Sequence, residues 1–464
     1  AEAEKNLLGD TLMIALHVAY IGPFSYAYRS TVIQQLIKKC EDEEIQLSKD
    51  FLLENVAADP VTLREWQVNG LPQDALSKQN GVLVTMSHRW PLLIDPQGQG
   101  RKWLIENSGI RIVRCDDSNM ALQIENAIKV GSPILVEDVG EILDPGLQFI
   151  LSPKLQKQSG QLMISIGDKW IPFDPQFRLY LTTKLSNPQF LPDVFIYLSV
   201  INFSVTLEGL EEQLLSDVVL HEMPELEKQR VELISAISKD QKQLSDLMAK
   251  ILHLLFTSKG NILDNETLIT TLHDAKQTST QVAERLVESE KTEKEITEKR
   301  EVYRSVATRG SILYFVVLEL PGIDSMYQYS LEFFKRIFKS VLDNTTEKVE
   351  DIPAKCAIFI EKLTYAVFSN VSRGLFANHR EVLSFLIAMS LLRSSGEVTD
   401  DMWKLFLRGP VDVDVSKFED PNDQIEPRIW NKCCSLSKAM SIFTELPSIV
   451  NKNYEDWKPL IEES

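Results

Sequence analysis

Residues 89–103 read Arg-Trp-Pro-Leu-Leu-Ile-Asp-Pro-Gln-Gly-Gln-Gly-Arg-Lys-Trp. The apolar run 91–94 has the character of a buried strand, Pro96 and Gly98 supply a turn, and the residues after it can open a helix. Strand, glycine-containing turn and helix in that order are the layout of a phosphate-binding loop, G-x-x-x-x-G-K-[ST]. In this register the first glycine falls on Asp95, the second on Gly100, the lysine on Arg101 and the Ser/Thr on Lys102. The chemistry is therefore altered at three positions. Asp95 sets a carboxylate beside the phosphate cradle. Arg101 keeps a positive charge but spreads it over a planar guanidinium. Lys102 replaces the hydroxyl that would hold Mg²⁺. The expectation is a loop of phosphate-binding shape without hydrolysis: ATP or ADP binds weakly at most, and no cofactor is firmly assigned.

A second signature lies some 35 residues on. The run Ile134-Leu135-Val136 reads as a buried strand that ends in Glu137-Asp138. A strand ending in two carboxylates resembles a Walker B motif, in which one acid positions Mg²⁺ and the other polarises the attacking water. Here the usual Asp-Glu order is reversed. The candidate site is a degenerate nucleotide site of Asp95, Pro96, Gly98, Gly100, Arg101, Lys102, Glu137 and Asp138, with no catalytic residue and no metal assigned.

Outward from this pair, the chain changes character three times. Residues 1–60 read as a helical lead-in, broken at Gly22-Pro23. Residues 61–223 carry strand signals at 82–84, 92–94, 134–136, 177–182 and 200–205, a helix over 118–130, and a hairpin of 164–166 with 170–172 around Gly167-Asp168-Lys169. Strands alternating with helices indicate an α/β nucleotide-binding core. Residues 224–310 lose the strand pattern. A long helix covers 224–256 and is stopped by 258–261, and Asp264 or Asn265 can cap the next one. From there a heptad holds, with Ala275, Val282, Ser289, Ile296 and Tyr303 on one position and Leu272, Ser279 and Leu286 on its partner. This coiled-coil element over about 265–303 is either a single long helix or an antiparallel hairpin turning at 289–292. Residues 311–464 are helical, with an aromatic-rich helix from Tyr327 through Phe333, Phe334 and Phe338.

Composition sets outer limits. A chain of 464 residues implies roughly three domains. Its net charge of −18 argues against a general nucleic-acid surface, which needs clustered basic charge. Five scattered Cys suggest reduced thiols, and Cys433-Cys434 lacks metal-site spacing. No apolar run reaches 18 residues, so no membrane span is expected. The first residues, Ala-Glu-Ala-Glu-Lys, lack the parts of a signal peptide and read as the interior of a helix, as in a fragment. The six His are dispersed, with no H-E-x-x-H or G-x-S-x-G constellation.

The chain resembles a dynein heavy chain over nearly its whole length. The resemblance rests on many short stretches in one order. They include Asn6-Leu7-Leu8-Gly9-Asp10, Gly22-Pro23-Phe24, Gly70-Leu71-Pro72, Asn80-Gly81, residues 89–99, residues 137–141, Ile201-Asn202-Phe203, Pro224-Glu225-Leu226 and Arg309-Gly310. It implies one of six linked AAA+ modules of a motor ring. The fifth is indicated, with its α/β part, its helical lid, the buttress hairpin that props the stalk at about 265–303, and the run into the sixth module. The fifth module is structural, in agreement with the independent reading of Asp95, Arg101 and Lys102. Residues 187–193 also lack the arginine finger of an active neighbour, the nearest basic residue being Lys184. The implied partners are the neighbouring AAA+ modules and the stalk coiled coil of the same heavy chain. A microtubule would be reached only through regions outside these residues, and no nucleic acid or membrane is expected. The run Ile323-Asp324-Ser325-Met326-Tyr327 is similar to ciliary dyneins, implying the cytoskeleton of a cilium axoneme. Two other readings stay open: an active ATPase module that tolerates Arg101, and a free-standing coiled-coil adaptor.

Overall fold

A computed structural model describes residues 2–48, 51–152, 155–158, 161–166, 169–257, 266–345, 351–409 and 427–453. Two compact units divide the chain, Ala1–Val371 and Ser372–Ser464.

The first unit is built on a parallel sheet of β1 (Trp90–Ile94), β2 (Arg111–Arg114), β3 (Ile134–Glu137), β7 (Leu179–Thr183) and β8 (Leu198–Asn202), in the order β2-β3-β7-β1-β8. The apolar runs noted in the sequence are buried on both faces, as parallel strands require. Leu92, Ile94, Ile134, Val136 and Leu181 face one core with Ile124 and Ile128 of the Met120–Val130 helix. Leu93, Leu135 and Ile201 face the other, against Trp66, Val82, Leu83 and Trp103. Between β3 and β7 the chain inserts a three-stranded antiparallel sheet of β4 (Leu155–Gln158), β5 (Gln161–Ile166) and β6 (Lys169–Pro172). The expected hairpin is the β5–β6 pair, and Gly167 and Asp168 lie outside the described residues.

Three readings need correction. Residues 82–84 are not a strand but the buried side of the Ala75–Met86 helix, which Asp74 caps by accepting from the Ser77 amide at 3.1 Å. A short apolar run fits a buried strand and a buried helix equally well. The aromatic-rich helix begins at Leu331 rather than Tyr327, because the Ser330 hydroxyl accepts from the Phe333 amide at 3.1 Å. And Glu266–Glu301 is one unbroken helix with no turn at 289–292. Polarity alone does not end a helix, and the stretch holds no Gly or Pro to break one.

The hairpin is instead made by two long helices, Pro224–Thr257 and Glu266–Glu301, joined through residues outside the described set. Their pairing is antiparallel. Arg285 meets Asp240 at 3.1 Å, and Arg300 meets Glu227 at 3.2 Å near the other end. The heptad read from the sequence is the seam: Val282, Ile296 and Tyr303 are buried on one position, and Arg300, two heptads after Leu286 on the partner position, is buried too. The hairpin base joins two further helices, Leu207–Glu222 and Arg304–Glu319, with Leu331–Asn344 beside them. Gly310 lets these helices approach, since a Cβ there would stand 2.8 Å from Leu214 Cδ1 and 3.0 Å from Phe338 Cε2.

The N-terminal helices, Glu2–Leu16 and Tyr26–Asp42, are tied to the sheet by one buried guanidinium. Arg29 donates to Gly22 O (2.6 Å), Phe24 O (2.9 Å) and Asn80 Oδ1 (2.8 Å), and Asn80 donates to Asn202 O at 2.7 Å. Three stretches that carried the family resemblance thus converge on one network.

The second unit is helical. Ala377–Ser395 and Asp400–Arg408 meet through Phe385, Trp403 and Phe406, and Arg393 pairs with Asp400 at 2.8 Å. Trp430, Cys434 and Val450 form a separate small core.

Candidate functional site

The site lies where the central strands end, the usual position for a ligand on an open parallel sheet. After β1 the chain turns through Asp95-Pro96-Gln97-Gly98. The Asp95 amide donates to Thr183 O of β7 (2.9 Å), and the Gly98 amide donates back to Asp95 O (3.2 Å). Gly98 has φ +74°, a left-handed conformation that glycine adopts without penalty, and the Gln99–Ser108 helix follows.

A phosphate would sit at the N-terminus of this helix, on its free backbone N–H groups. Asp95 fills that role from within the loop. Its Oδ1 accepts from the Gln99 amide and its Oδ2 from the Arg101 amide, both at 2.8 Å, and the residue is only 3% exposed. Burial pushes its carboxyl up, to about 6, against the opposing pull of the Arg101, Gln99, Gly98 and Gly100 amides. At neutral pH the loop therefore carries its own anion in the cradle.

The other charges are matched in the same way. Arg101 forms an ion pair through Nε with Glu137 Oε1, and Glu137 is buried at the end of β3. Asp138, at φ +60°, pairs with Lys184 at 2.7 Å. Asp95, Pro96, Gly98, Arg101, Glu137 and Asp138 thus line one cleft of about 190 Å³. Two expected members do not line it. Gly100 turns its amide towards Asp95, but its Cα faces the core, where a Cβ would stand 2.7 Å from Leu93 Cδ2 and 3.0 Å from Phe203 Cδ1, so it also serves helix–strand packing. Lys102 is exposed and lines a neighbouring cleft with Asp217 and Lys335.

Sequence reasoning left out Thr182, Thr183 and Lys184 at the end of β7, and Ser330, Leu331 and Glu332 from the helical part. A strand running into a lysine at 184 was a usable signal; nothing local marks Glu332, which arrives from far along the chain. The cleft lining now counts four carboxylates, Asp95, Glu137, Asp138 and Glu332, against two cations, Arg101 and Lys184. That balance is unfavourable for a polyphosphate. Among the described residues no group of three or more His, Cys, Asp or Glu is arranged to hold a metal ion.

The family model for the ATP-binding dynein motor region matches residues 64–282. Dynein axonemal heavy chain 6 of Homo sapiens is 43% identical over 446 residues, which are 95% of this chain and 11% of that protein. The Dynein-1-beta heavy chain, flagellar inner arm I1 complex, of Chlamydomonas reinhardtii is 36% identical over 97% of this chain and 10% of its own length. Human Dynein axonemal heavy chain 1 is 35% identical over 99% of this chain and 11% of its own. The chain thus spans about a tenth of the length of the relatives it matches. A parallel α/β core bearing a loop of phosphate-binding shape, followed by a long helical part, agrees with that match, and the chain belongs to the dynein heavy chain family, in its motor region.

Proposed function

We propose that this segment is a catalytically silent AAA+ module of a dynein motor ring, the fifth of six, that carries conformational change between ring and stalk during ATP-driven movement along microtubules. The observation that carries the reading is the Asp95 carboxylate bound on the amides of Gln99 and Arg101, where a phosphate would have to enter. The Arg101–Glu137 pair supports it, because the two groups that would serve Mg-nucleotide neutralise each other.

In this reading residues 1–60 lead in from the stalk base, 61–223 form the large domain and 224–310 the lid. Residues 311–464 run towards the next module. The hairpin of Pro224–Thr257 and Glu266–Glu301 is the buttress. Its neighbours are the adjoining modules and the stalk of the same heavy chain, and the axonemal relatives support the cytoskeleton of a cilium as its place. No described helix is long and apolar enough to cross a membrane.

The test is made in the whole heavy chain. Glu137→Gln would remove the water-polarising acid of a working module. Steady-state ATP hydrolysis should match the parent within twofold, whereas a tenfold fall would make this an active ATPase module.

A further inference from the structure

At the opposite end of the sheet from Asp95, where β1, β7 and β8 begin, lies a groove of about 760 Å³, four times the volume of the loop cleft. Its floor is aromatic and aliphatic: Trp90, Tyr180, Tyr197 and Leu179. Its rim holds Leu155 and Ile196, 45% and 63% exposed. Among the described residues three basic side chains line it, His88, Arg89 and Arg178, and no Asp or Glu does. Among the described residues neither Arg89 nor Arg178 has a carboxylate partner. Each is anchored through Nη1 to backbone carbonyls, Arg89 to Phe195 O at 2.7 Å, and Arg178 to Pro175 O at 3.2 Å and Phe177 O at 3.0 Å. A guanidinium carries five N–H donors, so both forks keep further donors for an incoming group.

A chain of net charge −18 has carboxylates in excess, yet the described lining of this groove holds two guanidiniums and no carboxylate. Fixed guanidiniums above an aromatic floor recognise a carboxylate attached to an apolar body. The matching stretch of the relatives is about a tenth of their length, so most of such a heavy chain lies beyond these residues. We propose that the groove docks a polypeptide segment from outside these 464 residues, in which an Asp or Glu lies beside an aromatic or aliphatic side chain. The carboxylate pairs with Arg178 and Arg89, and the apolar side chain rests on Trp90 and Tyr197. The proposal is independent of the nucleotide site.

The test places the photo-crosslinking residue p-benzoylphenylalanine at Ile196 in the whole heavy chain and identifies the captured peptide by mass spectrometry. One acidic peptide should dominate. Arg178→Glu should lower its yield at least tenfold, while Arg178→Lys should retain most of it. Thermal melting of the Arg178 variants serves as the folding control. No captured peptide, a captured peptide without a carboxylate, or a yield indifferent to Arg178→Glu in a folded chain would each overturn the proposal.

Discussion

A single side chain decides what the loop can do. Asp95 stands where a phosphate-binding loop has glycine, and the loop folds around its carboxylate as it would around a ligand. This has a signed consequence for pH. Burial raises the folded-state pKa to about 6 from an ordinary 3.8, so between these values the folded chain holds a proton that the unfolded chain has lost. The stability from this group is complete below the ordinary value and is lost as pH rises through about 6. Denaturant unfolding of the parent and of Asp95→Asn, followed from pH 4 to 7.5, should therefore differ in slope. The parent should weaken with rising pH relative to the variant, and parallel curves would show that the carboxyl titrates normally. The presence of Asp95, Arg101 and the Glu137-Asp138 pair was legible in the chain. Their mutual pairing was not, because a regular expression records where residues fall and not which charges they choose.

Elements were legible wherever burial left a pattern. β1 and β3 are buried on both faces and read as apolar runs, and the heptad around Val282 and Ile296 read as a seam. β2 was missed because an edge strand reading Arg-Ile-Val-Arg buries only Val113. β4 was missed because all four of its residues are exposed. The turn expected at 289–292 rested on polarity alone, which an exposed helical face shares with a loop. Trp103 shows how the helix after the loop is seated. It is 1% exposed, stacks on Phe203 at 6.2 Å and meets Trp66 edge-on at 5.7 Å. Trp103→Ala should cost about 3–5 kcal/mol. Trp103→Phe should cost clearly less, because the indole Nε1 is buried without a hydrogen-bond partner among the described residues and its removal relieves that penalty. Chemical denaturation of both variants checks the order; equal losses would contradict this packing. Trp90, by contrast, donates to Ile150 O at 3.2 Å, and Arg89 stays exposed at the groove rim.

At the scale of the whole molecule, the hairpin is the feature with reach. Its helices are 34 and 36 residues long, about 50 Å at 1.5 Å per residue. At its base Arg304 pairs with Glu301, the last residue of the second hairpin helix, and with Glu211 at 2.8 Å and Glu212 at 2.6 Å on the Leu207–Glu222 helix. If it is a strut, shortening each helix by one heptad in the whole heavy chain should leave basal ATPase within twofold of the parent. Stimulation by microtubules should fall several-fold. Full stimulation with normal motility would make the hairpin a passive surface element.

The strand order also governs how the chain is made. β1 lies between β7 and β8, so the strand that carries the loop waits for partners translated roughly a hundred residues later. At about 5–20 residues per second, a ribosome leaves both edges of β1 unpaired for roughly 5–20 s. An unpaired apolar strand is a template for the wrong neighbour. Nascent chains stalled with β7 outside the ribosomal tunnel and β8 still within it should remain open to protease, and chains stalled well past Asn202 should not. In a heavy chain as long as the relatives, about ten times this segment, each such wait would be an interval in which a chaperone has work to do.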